Sequence, residues 1–194
     1  MNRPGFFFLV CPDAELLRNE TDRMLSQMAE AESVSFERHV FWGDEGLIPS
    51  FWEQLTLQNL FGGTKAVILR QAQVLKADDW NRLKPALSRF NPHALPFFCL
   101  EAPFDRGKPK IPKLLTIQPF WSLAEKKGWV WQSAGLGERD IRRFVSDLAS
   151  ARGLGFDQGA LDAVCAALPP DATTIRREVD KMDLAAGDTR LITR

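Results

Sequence analysis

The run Phe6-Phe7-Phe8-Leu9-Val10-Cys11-Pro12-Asp13-Ala14-Glu15-Leu16 decides how this chain is read. Its first five residues are uninterruptedly apolar and are bracketed by Pro4-Gly5 and Pro12-Asp13. That is the pattern of a central parallel strand covered on both faces. Asp13 stands where a side-chain oxygen caps a following helix. In that helix Leu16, Leu17, Met24, Leu25 and Met28 form an apolar stripe between charges.

Working outward, the same alternation recurs. A second strand is predicted around Val34 to Phe41, ended by Trp42-Gly43-Asp44, and a third over Ala66 to Leu69. A helix near Asp78 to Phe90 stops at Asn91-Pro92. Leu95 to Leu100 makes a fourth strand, closed by Glu101-Ala102-Pro103. Ile111 to Ala124 is helical in part, with Pro119 as an interruption, and Trp129-Val130-Trp131 is a fifth strand. Five strands alternating with helices predict an α/β domain with a mostly parallel sheet, assigned to residues 1–136. Beyond it Glu138 to Ala151, Asp157 to Leu168 and Asp171 to Ala186 are helical patterns without a strand signal. They predict a small helical domain over 137–194, packed on the first because so short a segment buries little core by itself.

The totals narrow the function classes. Lys plus Arg and Asp plus Glu are 25 each, so no net field draws this 194-residue chain to nucleic acid or membrane. Cys11, Cys99 and Cys165 are scattered and odd in number, the usage expected of buried thiols in a reducing cytosol. Two histidines, His39 and His93, starve most metal-site and His-base schemes. The apolar run Phe6 to Cys11 is too short for a signal-peptide core or a membrane span. The expectation is a cytoplasmic protein with no metal and no cofactor.

The stretch from Ser50 to Arg70 carries the strongest local signal. Ser50 and Glu53 have capping-box spacing, and Pro49 discourages an earlier turn. Leu57, Leu60 and Phe61 fall at i, i+3 and i+4 of a helix that Gly62-Gly63 would stop. Two roles for Leu60 and Phe61 remain open on this spacing: core residues, or an apolar knob held out for a partner protein.

An α/β domain followed by a helical lid is the layout of AAA+ nucleotide-binding modules. Their phosphate cradle, G-x-x-x-x-G-K-[ST], belongs in the turn after the first strand. Here that turn is Cys11-Pro12-Asp13-Ala14-Glu15, with no glycine, no lysine and two carboxylates, which repel phosphate at a helix N-terminus. The magnesium-binding strand end offers Glu101 without an acidic neighbour. G-x-S-x-G, H-E-x-x-H and a strand-linked G-x-G-x-x-G are all missing, and Gly153-Leu154-Gly155 lies between helices. No catalytic site is found. Arg106, Lys108, Lys110 and Lys113, with Lys126-Lys127 beyond, concentrate positive charge that could touch phosphate or an acidic partner, or simply be a solvated loop.

Against that background, Asn59-Leu60-Phe61-Gly62-Gly63-Thr64-Lys65-Ala66-Val67-Ile68-Leu69-Arg70 resembles the S-L-F-G-G-R-R-L-V-V-L-R segment of the delta subunit of bacterial DNA polymerase III, the clamp-opening member of the clamp loader. Phe8-Leu9-Val10 to Glu15 resembles its first strand and degenerate loop, with Cys11 in place of a usual glycine. Asp105-Arg106-Gly107-Lys108 with Lys113-Leu114-Leu115, and Thr174 to Met182, are similar to further family segments in the same order.

The resemblance implies an AAA+-like parallel sheet domain lacking a functional phosphate loop, followed by a helical lid, within a DNA-directed DNA polymerase holoenzyme. It implies a non-catalytic subunit that binds the sliding clamp, the beta subunit, and opens it or traps it open during DNA replication. Leu60, Phe61, Gln58 and Leu57 would make the contact, and Gly62 and Gly63 would present them. Gln58 departs from the apolar residue of some family members, implying a smaller knob. Other clamp-loader subunits are implied partners, with DNA contact inside the complex, and the family's C-terminal collar would begin about where Arg194 stands. Two alternatives stand beside this reading: a nucleotide-binding AAA+ protein with a divergent phosphate loop, and a purely structural assembly module of the loader.

Overall fold

The computed structural model describes residues 3–58 and 63–193, which fall into two compact units, Met1–Ala134 and Gly135–Arg194. In the first unit β1 (Phe7–Val10), β2 (Phe36–Trp42), β3 (Thr64–Arg70), β4 (Ala94–Leu100) and β5 (Val130–Gln132) form a parallel sheet in the order β2-β3-β4-β1-β5. The connections run through α1 (Ala14–Glu32), α2 (Pro49–Thr56), α3 (Ala77–Leu87), α4 (Lys113–Thr116) and α5 (Pro119–Lys127).

Successive strand residues point to opposite faces, so the three central strands are apolar at almost every position. On one face Phe8, Phe98, Val67 and Leu69 pack with Phe51, Trp80 and Trp121 from α2, α3 and α5. Phe8 is the hub, its ring centroid 4.9 Å from Trp121 and 5.2 Å from Phe98. On the other face Phe7, Leu9, Ile68, Phe97 and Cys99 pack beneath Leu17 and Leu25 of α1. Asp13 caps α1 as its sequence position predicts.

Three local expectations fail. Pro49 occupies the first turn of α2 and Ile48 is its N-cap, so Ser50 lies inside the helix and the Ser50–Glu53 capping box does not form. Proline's fixed φ and missing N–H favour that first position. The helix then ends at Thr56, well before Gly62-Gly63. Pro119 does not interrupt a helix but begins α5, for the same reason.

The second unit contains α6 (Ile141–Ser150), α7 (Gln158–Ala167) and α8 (Ala172–Ala185). Ile141, Val145, Leu148, Ile175 and Val179 form its core. Asp157 and Asp171 cap α7 and α8, each accepting from a backbone N–H at 2.6 Å. Arg152 pairs with Asp180, fastening the end of α6 to α8. Contrary to the strandless expectation, Gly155–Phe156 pairs in parallel with Leu191–Ile192. A two-residue pairing leaves no periodicity to find. Among the described residues no helix is long and apolar enough to cross a membrane.

Candidate functional site

At the C-terminal edge of the sheet, where open α/β folds place ligands, the groups that would meet a phosphate already have partners. The Cys11 amide donates to Leu100 O at 3.1 Å. Asp13 Oδ1 then accepts from the Glu15 and Leu16 amides at 2.9 and 3.3 Å. These are amides that a bound anion would otherwise use at a helix N-terminus, so the chain's own carboxylate fills the position. Glu15 is buried and brings a second carboxylate, paired with Arg18 at 2.8 Å.

The end of β4 is equally closed. Glu101 accepts from Arg70 at 3.1 Å and from Gln71 Nε2 at 3.5 Å, and its amide donates to Gln73 Oε1 at 3.0 Å. The Arg70 guanidinium lies 4.7 Å from the Trp42 ring centroid. Gly43, just beyond β2, sits so close to Gln71 that an added Cβ would lie 2.4 Å from its carbonyl oxygen. Burial pushes the Cys99 thiol up to about 12, leaving it protonated and a poor nucleophile. Among the described residues no cluster of His, Cys, Asp or Glu could hold a metal ion.

The opposite, N-terminal edge holds the connection from α2 to β3. Leu60, Phe61 and Gly62 lie outside the described residues. Leu57 leaves α2 with extended backbone and with its side chain 58% exposed, and Gln58 is exposed beside it. Leu57 is therefore the exit from the helix, not a member of a helical face shared with Leu60 and Phe61. Its departure is fixed by tertiary bonds: Asn91 Nδ2 donates to Leu55 O at 2.9 Å and Lys65 Nζ to Leu57 O at 3.2 Å. Lys65, only 7% exposed, thereby keeps its ammonium on a backbone acceptor. Gly63 has φ +88°, a left-handed conformation suited to glycine, and the Thr64 amide then donates to Ser35 O at 3.3 Å as β3 begins.

The basic segment forms a hairpin pairing Phe104–Asp105 with Lys108–Pro109. Arg106 and Gly107 both have positive φ, as a two-residue hairpin turn of the primed type demands. Lys110 lies 3.5 Å from Asp105 in a well-solvated pair, while Arg106, Lys108 and Lys113 are exposed. The hairpin therefore brings together Arg106, Lys108 and Lys110, and Lys113 opens α4.

Sequence reasoning passed over Lys65, although a lysine inside Thr64-Lys65-Ala66-Val67 is a strand position whose long side chain needs a buried acceptor. It also passed over Arg3 and Arg89 and grouped Lys127 with the Arg106–Lys113 run, whereas these three residues, remote in sequence, line one cavity of about 490 Å³.

No protein-family model matches the sequence, and no curated protein does. Solved structures do match. Bacillus subtilis DNA clamp loader delta protein (YqeN) is 15% identical, with a TM-score of 0.56 over 98% of this chain and 56% of that one. A RuvB variant from Thermotoga maritima is 11% identical, with a TM-score of 0.62 over 95% of this chain and 56% of that one. Domain III of the Thermotoga maritima replication initiation protein DnaA is 12% identical, with a TM-score of 0.60 over 96% of this chain and 80% of that one. The chain spans just over half the length of the delta protein and of RuvB. The fold is thus AAA+-like, a parallel α/β domain followed by helices.

Proposed function

We propose that this chain is a non-catalytic clamp-loader subunit of the delta type, which binds a sliding clamp through the segment Leu57 to Phe61. The observation that carries the reading is the exit from α2: Leu57 is extended and exposed, with Lys65 bonded to its carbonyl and Asn91 to that of Leu55, just ahead of the Leu60-Phe61-Gly62-Gly63 motif. Leu60 and Phe61 would insert into an apolar pocket on the clamp, with Gln58 at the rim and Gly62 and Gly63 presenting the knob. Binding would favour the sprung ring, shifting a population rather than catalysing a reaction. The phosphate corner, filled by Asp13, fits a subunit that works by contact. Other loader subunits are the remaining partners of this reading.

Leu60→Ala and Phe61→Ala are each expected to weaken clamp binding by about 2 kcal/mol or more, roughly thirtyfold, as anchors at the centre of an interface do. Surface plasmon resonance against an immobilised sliding clamp measures this. Unchanged binding by a folded double variant overturns the proposal.

A further inference from the structure

We propose that the N-terminal edge of the sheet carries a groove for single-stranded nucleic acid, built by Arg3, Arg89, Phe90 and Lys127. Two cavities, of about 490 and 410 Å³, adjoin there and share Gly5, Arg89 and Phe90, making one trough. No acidic side chain lines either cavity among the described residues. Three cations therefore face one space. Arg89 follows the end of α3 and Lys127 is the last residue of α5. Each helix C-terminus carries about half a negative charge, so the two ends offset about one of the three positive charges. The trough stays net cationic.

Arg3 is the built part of this site. It is 9% exposed, and its NH2 group donates to Asn91 O and Pro92 O at 2.8 and 3.1 Å. Its Nε–H is buried without an acceptor, and a buried unmet donor is destabilising. Arg3 lines the larger cavity and brings its positive charge to the wall. The charge of Glu32 acts on Arg3, but among the described residues Arg3 has no ion-pair partner.

Phe90 sets the kind of anion. Its ring is 55% exposed at the trough, with the Arg3 guanidinium 5.4 Å from the centroid on one side and Trp129 in the cavity wall. Cations that track a backbone beside an open aromatic ring are how proteins hold single strands, since every base has a face to stack. An acidic peptide would use the charges and leave the ring without a role. Cavities of this size suit individual nucleotides rather than a duplex. The site is separate from the Arg106–Lys110 hairpin and does not depend on clamp binding.

Fluorescence anisotropy of the full chain with a labelled oligothymidylate at low salt tests the proposal. The expected result is salt-sensitive binding that Arg89→Ala with Lys127→Ala weakens at least tenfold. The double change should also lower the salt slope by roughly 0.7 for each phosphate it leaves without a cation. Phe90→Ala should weaken binding fivefold or more at an unchanged slope, with Phe90→Trp restoring it. Arg106→Ala with Lys108→Ala should leave binding intact. All these side chains are exposed, so the variants should keep the wild-type thermal midpoint. No binding at low salt, or binding indifferent to the Arg89–Lys127 pair, overturns the proposal. So does equal competition by a polyglutamate peptide together with a silent Phe90→Ala.

Discussion

The two edges of one parallel sheet have been used in opposite ways. At the C-terminal edge Asp13 is turned onto the α1 amides, Glu101 onto Arg70 and Gln71, and Arg70 onto Trp42. At the N-terminal edge Leu57 and Phe90 face solvent and the Arg3 Nε–H lacks an acceptor. An edge that satisfies itself has little left for a ligand, and its residues act on stability. An edge with exposed apolar surface and uncompensated charge is where the proposed function and the proposed groove put the residues that act on partners. Mutations should therefore sort by edge.

The largest expected effect is at the N-terminal edge, where the Leu60→Ala, Phe61→Ala double variant should abolish measurable clamp binding; an intact response would remove the contrast at its root. Next is Glu101→Ala. It leaves Arg70 half-buried without its carboxylate and should cost about 2 kcal/mol in urea unfolding with clamp binding unchanged.

Third is Asp13→Ala, expected to cost about 1 kcal/mol through the missing cap. Calorimetry with ATP and magnesium should register no heat for wild type or for this variant. A measurable affinity in either would reopen the C-terminal edge as a nucleotide site. Smaller still is Leu57→Ala, which should change stability by less than about 0.5 kcal/mol because the side chain is exposed, and should weaken clamp binding less than tenfold.

A pH prediction belongs to the C-terminal half of the sheet. Cys99 has its folded pKa raised from 9.0 to about 12, chiefly by burial, so the folded state keeps a proton that the unfolded state releases. Its stabilising contribution is complete below pH 9 and disappears as pH rises toward 12. Urea midpoints should fall across that window in wild type and fall less in Cys99→Ala compared with its own value at pH 8.

Much of this was legible in the sequence, and the limits have physical causes. Phe6 to Val10, Ala66 to Leu69 and Leu95 to Leu100 announce themselves because strands covered on both faces are apolar throughout. Asp13 was legible because capping is local. The end of α2 was not, because it depends on Lys65 and Asn91 reaching carbonyls from other elements. The i, i+3, i+4 spacing of Leu57, Leu60 and Phe61 suggested helix through a point where the backbone had already left it. The Ser50–Glu53 pattern lost to Pro49, whose ring claims the first helical position. The grouping of Arg3, Arg89 and Lys127 is a product of topology, as these residues share no segment.

Gly43 has a consequence for how variation in this chain should be interpreted. Backbone of the next strand's exit fills the space where its side chain would be, so any replacement must pry the ends of β2 and β3 apart. A saturation screen would record it among the least permissive positions, although it touches no proposed partner. Intolerance to substitution at that corner is a mark of architecture, and the residues by which this chain meets other molecules should be sought among the more forgiving positions on the other side of the sheet.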